Sequence, residues 1–122
     1  MSEATEQIAV IQYCDFKKIP VFAIPNGGSR NKLEAANLKK QGVRAGVPDL
    51  CIPVARRGYH GLYIEMKFGK NKPTDSQDKW LELLNKNGYC AAVCHGFAKA
   101  QTVIDWYFSE VKENDRKQDQ PR

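Results

Sequence analysis

Apolar side chains recur along this chain in two rhythms, one near 3.6 residues and one of two, and the switches between them mark out its elements. Residues 3 to 16 (EATEQIAVIQYCDF) place Ile8, Ile11 and either Tyr13 or Cys14 at helical spacing, which predicts a first helix. Lys18 to Ile24 (KIPVFAI) predicts a strand closed by the turn cluster Pro25-Asn26-Gly27-Gly28. The polar, basic stretch from Ser29 to Gln41 reads as partly helical, and Gly42 to Gly46 as a flexible connection. Asp49 to Val54 (DLCIPV) predicts a short apolar strand that Pro53 pushes toward an edge or an early end. After a turn at Arg56 to Gly61, Leu62 to Lys67 (LYIEMK) alternates between two faces as a strand does. Beyond a loop at Lys70 to Pro73, Thr74 to about Asn87 predicts a helix with Trp80, Leu81 and Leu84 on its inner side. Gly88 follows where a glycine commonly ends a helix. Tyr89 to Cys94 predicts a buried strand. Gly96 to Ser109 predicts a last helix, with Phe97, Ala100, Ile104, Tyr107 and Phe108 along one stripe.

The resulting order, α-β-(α)-β-β-α-β-α, predicts an α/β fold in which helices flank both faces of a central mixed sheet. With 122 residues, 42% of them apolar, the chain has material for one core rather than two. Residues 1–110 are read as that single domain, and 111–122 as a charged tail without apolar anchors, expected to fray. There is no internal repeat. No apolar run approaches the roughly 20 residues a membrane span requires. The start, MSEATEQ, lacks the basic segment and apolar stretch of a secretion signal. The expectation is a soluble, intracellular, cytoplasmic protein.

Four cysteines, at positions 14, 51, 90 and 94, form no CxxC pair and no zinc-type spacing with histidine. Cys90 and Cys94 lie in an apolar run, where free thiols act as small hydrophobes. They are expected to be inert. The two histidines, His60 and His95, lack a Cys/His partner set and receive no metal role.

The net charge of +5 says little until it is located. Residues 17 to 72 carry twelve basic side chains against three acids, Glu34, Asp49 and Glu65. A solvated basic face would account for this, and so would a nucleic-acid partner. What separates the two is that Asp49 and Glu65 fall inside one short pattern.

That pattern is Gly46-Val47-Pro48-Asp49-Leu50 followed by Ile64-Glu65-Met66-Lys67. Residues two apart on a strand share a face, so Glu65 and Lys67 point together while Met66 points the other way. Asp49 opens the preceding strand behind Pro48, whose ring fixes φ and removes a donor. If the two strands pair, two carboxylates meet at a strand end with a lysine beside them. Such an oxygen-rich site suits a hard cation like Mg²⁺, which binds one or two carboxylates and keeps its waters. A cation there can polarise a phosphodiester and acidify a water, and Lys67 can hold the attacking water and offset developing negative charge. An ordinary amphipathic strand with a chance Glu–Lys pair explains a lone ExK equally well. The Pro-Asp turn sixteen residues upstream is what argues against chance.

The ordered set AGVPDL, GLYIEMK, Gln77-x-x-Trp80-Leu81 and Gly88-Tyr89, with PNGG (Pro25 to Gly28) before it, resembles the VRR-NUC domain of the PD-(D/E)XK nuclease superfamily. The resemblance runs from about Glu3 to Phe108. It implies a restriction-endonuclease-like fold and Mg²⁺- or Mn²⁺-dependent hydrolysis of DNA. By position, Asp49 and Glu65 match the metal carboxylates, Lys67 the catalytic lysine and the Met66 carbonyl a further metal ligand. Gln77 matches the glutamine of the following helix, and Thr74-Asp75-Ser76-Gln77 equally fits a capping box, so both roles stay open. The family's first-helix pattern, E-x-x-x-Q, aligns with Glu3 and Gln7, with Glu6 as the competing carboxylate. Arg30, Lys32, Lys39, Lys40 and Arg44 are read as phosphate contacts that supply affinity without sequence readout. Stand-alone members imply a homodimer that cuts both strands of a branched, Holliday-junction-like DNA in a repair setting, and a phage or mobile-element origin. A flap or nicking nuclease, a restriction-type enzyme and an inactive nucleic-acid-binding module are the alternatives.

Overall fold

The computed structural model describes residues 2–25 and 31–110, together with Pro121. The elements follow in the order α1 (Glu3–Phe16), β1 (Phe22–Ala23), α2 (Lys32–Lys40), β2 (Leu50–Ile52), β3 (Leu62–Lys67), α3 (Asp75–Lys86), β4 (Cys90–His95) and α4 (Phe97–Phe108). Among the described residues these strands form one sheet, ordered β1-β2-β3-β4. The first two pairings are antiparallel, and β3 and β4 run parallel through the α3 crossover, so the sheet is mixed.

Alternation along each strand decides what each face buries. Leu50 and Ile52 of β2, Leu62, Ile64 and Met66 of β3, and Cys90, Ala92 and Cys94 of β4 point to one side. There they meet Val10 and Cys14 of α1 and Ala100, Val103, Ile104 and Tyr107 of α4. Full burial of each large apolar side chain contributes about 1.5–3 kcal/mol, so this layer holds the fold together. The Tyr107 hydroxyl inside it donates to the Val54 carbonyl at 2.6 Å, which satisfies its one buried polar group. On the other face α3 lays Leu81 and Leu84 over Ala91, with Tyr63, Trp80, Tyr89 and Val93 around them. Helices therefore flank both faces, as the element order predicts.

Three details differ from the sequence reading. β1 is two residues long, not seven, because the α1 exit occupies the residues before it. Lys18 turns with φ 60° and the Ile19 N–H donates back to the Cys14 carbonyl at 2.8 Å, while Pro20 has no N–H to give a ladder. β2 covers Leu50–Ile52 rather than Asp49–Val54, with the early end that Pro53 implied. In α1 the buried side chains are Val10 and Cys14, whereas Ile8 is 57% exposed. The docking of α1 against α4 and β3 selects that face, and spacing alone does not choose between adjacent apolar stripes. Arg30, residues 26–28 of the PNGG turn, and the tail except Pro121 lie outside the described residues.

Candidate active site

Asp49 stands where the chain enters the sheet. Pro48 before it is fully buried, and the Asp49 carbonyl accepts the Ile24 N–H at 2.8 Å, which ties this main chain to the end of β1. Its carboxylate turns the other way. Oδ2 accepts the Met66 N–H at 2.7 Å, so a side chain from the mouth of β2 completes the ladder along β3. The N–H and C=O of one residue in an extended strand leave by the same edge, which brings the Met66 carbonyl out beside this carboxylate.

Because β3 alternates, Met66 goes into the core and Tyr63, Glu65 and Lys67 go to the opposite face. Glu65 is 2% exposed there. Its Oε2 accepts from Gln77 Nε2 at 3.3 Å and faces the Lys67 ammonium at 3.8 Å. Its Oε1 is buried and has no partner among the described residues. Burial raises the Glu65 carboxyl to about 8, and the charge of Asp49 and a hydrogen bond with it push the same way. Lys67 opposes this, and Glu3 adds a smaller upward push. One ammonium is thus set against a cluster of carboxylates.

Gln77 serves two partners with its two ends. Its carbonyl oxygen accepts the Thr74 N–H at 2.9 Å while its own N–H donates to Thr74 Oγ1 at 3.3 Å, which completes the capping box of α3. Its amide nitrogen is left to reach Glu65. One side chain therefore both completes the cap and touches Glu65.

The two first-helix glutamates divide. Glu6 Oε2 accepts the Phe97 N–H at 2.6 Å and supplies the cap that Gly96 cannot give to α4. Glu3, one turn earlier on α1, is the carboxylate whose charge Glu65 feels. Lys32, Lys39 and Lys40 lie exposed on α2, and exposed Arg44 donates to the Lys39 carbonyl at 2.9 Å, at the end of that helix. His95 is engaged elsewhere, with Nε2 2.8 Å from the Asn71 carbonyl, where it anchors the loop between β3 and α3. The Glu6 cap and this anchor have no local sequence signal, because each joins residues far apart in the chain.

No group of three or more His, Cys, Asp or Glu side chains among the described residues is arranged to hold a metal ion. The donor set on offer is Asp49, Glu65 and a main-chain carbonyl. That set fits a hard divalent cation that keeps several waters. Glu65 Oε1, buried and without a hydrogen-bond partner among the described residues, is a donor atom that such a cation could take up.

A family model described as the VRR-NUC domain matches residues 5–98. A solved structure described as a VRR_NUC domain protein is 35% identical, superposes with a TM-score of 0.77, and covers 88% of each chain. Among curated proteins no match is found.

Proposed function

The chain belongs to the VRR-NUC family, nucleases of the PD-(D/E)XK type that act on DNA and generally require a divalent metal, and on that footing we propose a metal-dependent endonuclease that cuts branched DNA as a homodimer. The observation that carries this reading is the buried Glu65 carboxylate, set between Asp49, Lys67 and Gln77 with one oxygen lacking a partner among the described residues.

Asp49, Glu65 and the Met66 carbonyl hold Mg²⁺ or Mn²⁺ in this proposal. Bound there, such a cation would supply Lewis-acid chemistry, polarising a phosphate oxygen, lowering the pKa of a water and offsetting charge on the departing oxygen. Lys67 holds the attacking water by a hydrogen bond and offsets charge that builds on the phosphate. A new P–O bond forms from that water, whose proton passes to bulk water, while the bond to the leaving sugar oxygen breaks and that oxygen takes up a proton from solvent. Gln77 fixes the orientation of Glu65, and Glu3 acts as the outlying carboxylate of the site. The exposed lysines of α2, with Arg44, grip flanking phosphates without reading bases. A homodimer follows from one active site per chain and two strands to cut at a junction.

The test is a panel of four-way junction, flap and plain duplex, each incubated with Mg²⁺, Mn²⁺ or EDTA, with the mass of the protein in solution measured by light scattering. The proposal expects metal-dependent cleavage, fastest on branched DNA, by a species of twice the chain mass. Equal rates on plain duplex would remove the branching preference, and a monomer that cuts both strands would remove the dimer. Tight, metal-independent binding without cleavage would leave a binding module on a nuclease fold.

A further inference from the structure

The face of the sheet that carries Glu65 continues beyond the catalytic groups as an aromatic surface. Register places Phe22 of β1 opposite Cys51 of β2, and Cys51 opposite Tyr63 of β3, so the three side chains form one row across three strands. Cys51, between the two aromatic residues in this row, is 5% exposed. Asp49 and Glu65 form the next row, two residues along each strand, a spacing of about 6.8 Å. The helix on this face, α3, packs on β4, at the opposite edge from β1. Phe22 is therefore 51% exposed, and Tyr63, edge-on to Tyr89 with ring centres 5.4 Å apart, is half-buried.

A large aromatic ring half in water on a short edge strand gains little from the fold. Its place one row from the metal carboxylates gives it a partner. A scissile phosphate held at Asp49 and Glu65 brings the base of the adjoining nucleotide within reach of this row. In a continuous duplex that base is paired and stacked inward, and it cannot lie on a sheet. An unpaired base can, and stacking on aromatic side chains is how sheet surfaces take single-stranded nucleic acid. We infer that Phe22 and Tyr63 form a stacking platform for an unpaired nucleobase next to the cleaved phosphodiester, so that the substrate class is DNA with at least one unstacked nucleotide at the cut. This deepens the nuclease reading and rests on it for the placement of the phosphate.

The test uses binding, not cleavage. A flap whose single-stranded arm carries 2-aminopurine beside the branch is titrated with the full chain in Ca²⁺, alongside Phe22→Ser, Tyr63→Leu and Tyr63→Phe. Stacking predicts quenching by wild type and by Tyr63→Phe. Phe22→Ser and Tyr63→Leu should lose the quench and bind the flap on the order of tenfold more weakly, with duplex affinity unchanged. Unaltered quenching in Phe22→Ser, or equal losses on flap and duplex, overturns the platform, as does absence of quenching in wild type. Conversion of a dimer to a monomer by Phe22→Ser assigns the face to a second copy instead. Phe22 is exposed, so its variant keeps the test alive if Tyr63→Leu fails to fold. A protein that stacks the base and never cuts loses the nuclease reading alone. One that cuts with both variants indistinguishable from wild type loses the platform alone.

Discussion

Gly46 lies so close to Ser76 that a Cβ built on it would sit 2.6 Å from both the carbonyl carbon and the carbonyl oxygen of Ser76. The loop that delivers Asp49 is thereby seated on the first turn of α3, the turn that delivers Gln77. The Gly46 backbone also has φ +91°, which side chains other than glycine resist. Gly46→Ala should cost about 1–3 kcal/mol from the strained φ alone, with the clash in addition. It should also lower cleavage more than a stability loss of that size explains, because it separates Asp49 from Gln77. Urea denaturation beside a cleavage assay at low temperature checks both. A variant of wild-type stability and activity would show that the contact positions nothing.

The double duty of Gln77 can be separated by substitution. Thr74→Ala removes the cap hydroxyl and leaves Gln77 facing Glu65, so stability should fall by about 1 kcal/mol with activity close to wild type. Gln77→Ala keeps the backbone bond to Thr74 but removes the reciprocal side-chain half of the capping box and the Glu65 contact together, so a smaller stability loss should come with at least a roughly tenfold fall in cleavage rate. Equal activities in the two variants would reduce Gln77 to a capping residue.

Glu65 makes the metal-free protein sensitive to pH. Its carboxyl protonates at about 8 in the fold against an ordinary value of 4.5, so the fold holds the proton more tightly than the unfolded chain does. The stability this contributes is complete below about 4.5, declines as pH rises and is gone above about 8. Glu65→Gln cannot ionise and escapes that decline. In EDTA, the melting temperature of the variant should gain on wild type from pH 5 to pH 8 and hold its lead above. A gap independent of pH would contradict the buried, charge-crowded environment assigned to Glu65.

All four cysteines are buried and unpaired, and burial raises Cys14 to about 11 and Cys90 and Cys94 to about 12. Thiolate is the reactive form, so a disulfide reagent at pH 8 should leave these three untouched until guanidinium unfolds the chain. Rapid labelling of the native protein at Cys90 or Cys94 would contradict the core described above.

Much of this was legible because it is local. The two-residue rhythm of LYIEMK gives β3 its bounds and puts Glu65 and Lys67 on one face, and Thr74, Gln77 and Gly88 frame α3. What was not legible depends on partners distant in sequence. Nothing within α1 distinguishes Glu6, which caps α4, from Glu3, and nothing there turns Val10 inward and Ile8 outward. The basic block misleads in a similar way. Arg57 reads as a turn charge, yet it is 6% exposed, lies 4.4 Å over the Trp106 ring and donates to the Trp106 carbonyl at 3.3 Å. Arg56 donates to the Phe108 carbonyl at 2.9 Å. Both serve the end of α4, which has no basic residue in its last turn, and α4 begins beside Lys67, where the Gly96 N–H meets the Lys67 carbonyl at 3.1 Å. The length of α4 therefore separates these arginines from the site, and the twelve basic residues do not form one DNA surface.

In the proposed mechanism Asp49, Glu65 and Lys67 work as one hydrolytic site. Its most direct test is the cleavage rate of a four-way junction in Mg²⁺ by wild type, Asp49→Asn and Lys67→Ala, each shown to be folded by circular dichroism. Wild type should cut and EDTA should abolish the cleavage, and either variant should lose on the order of 10²–10³-fold or more. A folded Lys67→Ala or Asp49→Asn that cuts at the wild-type rate would contradict it.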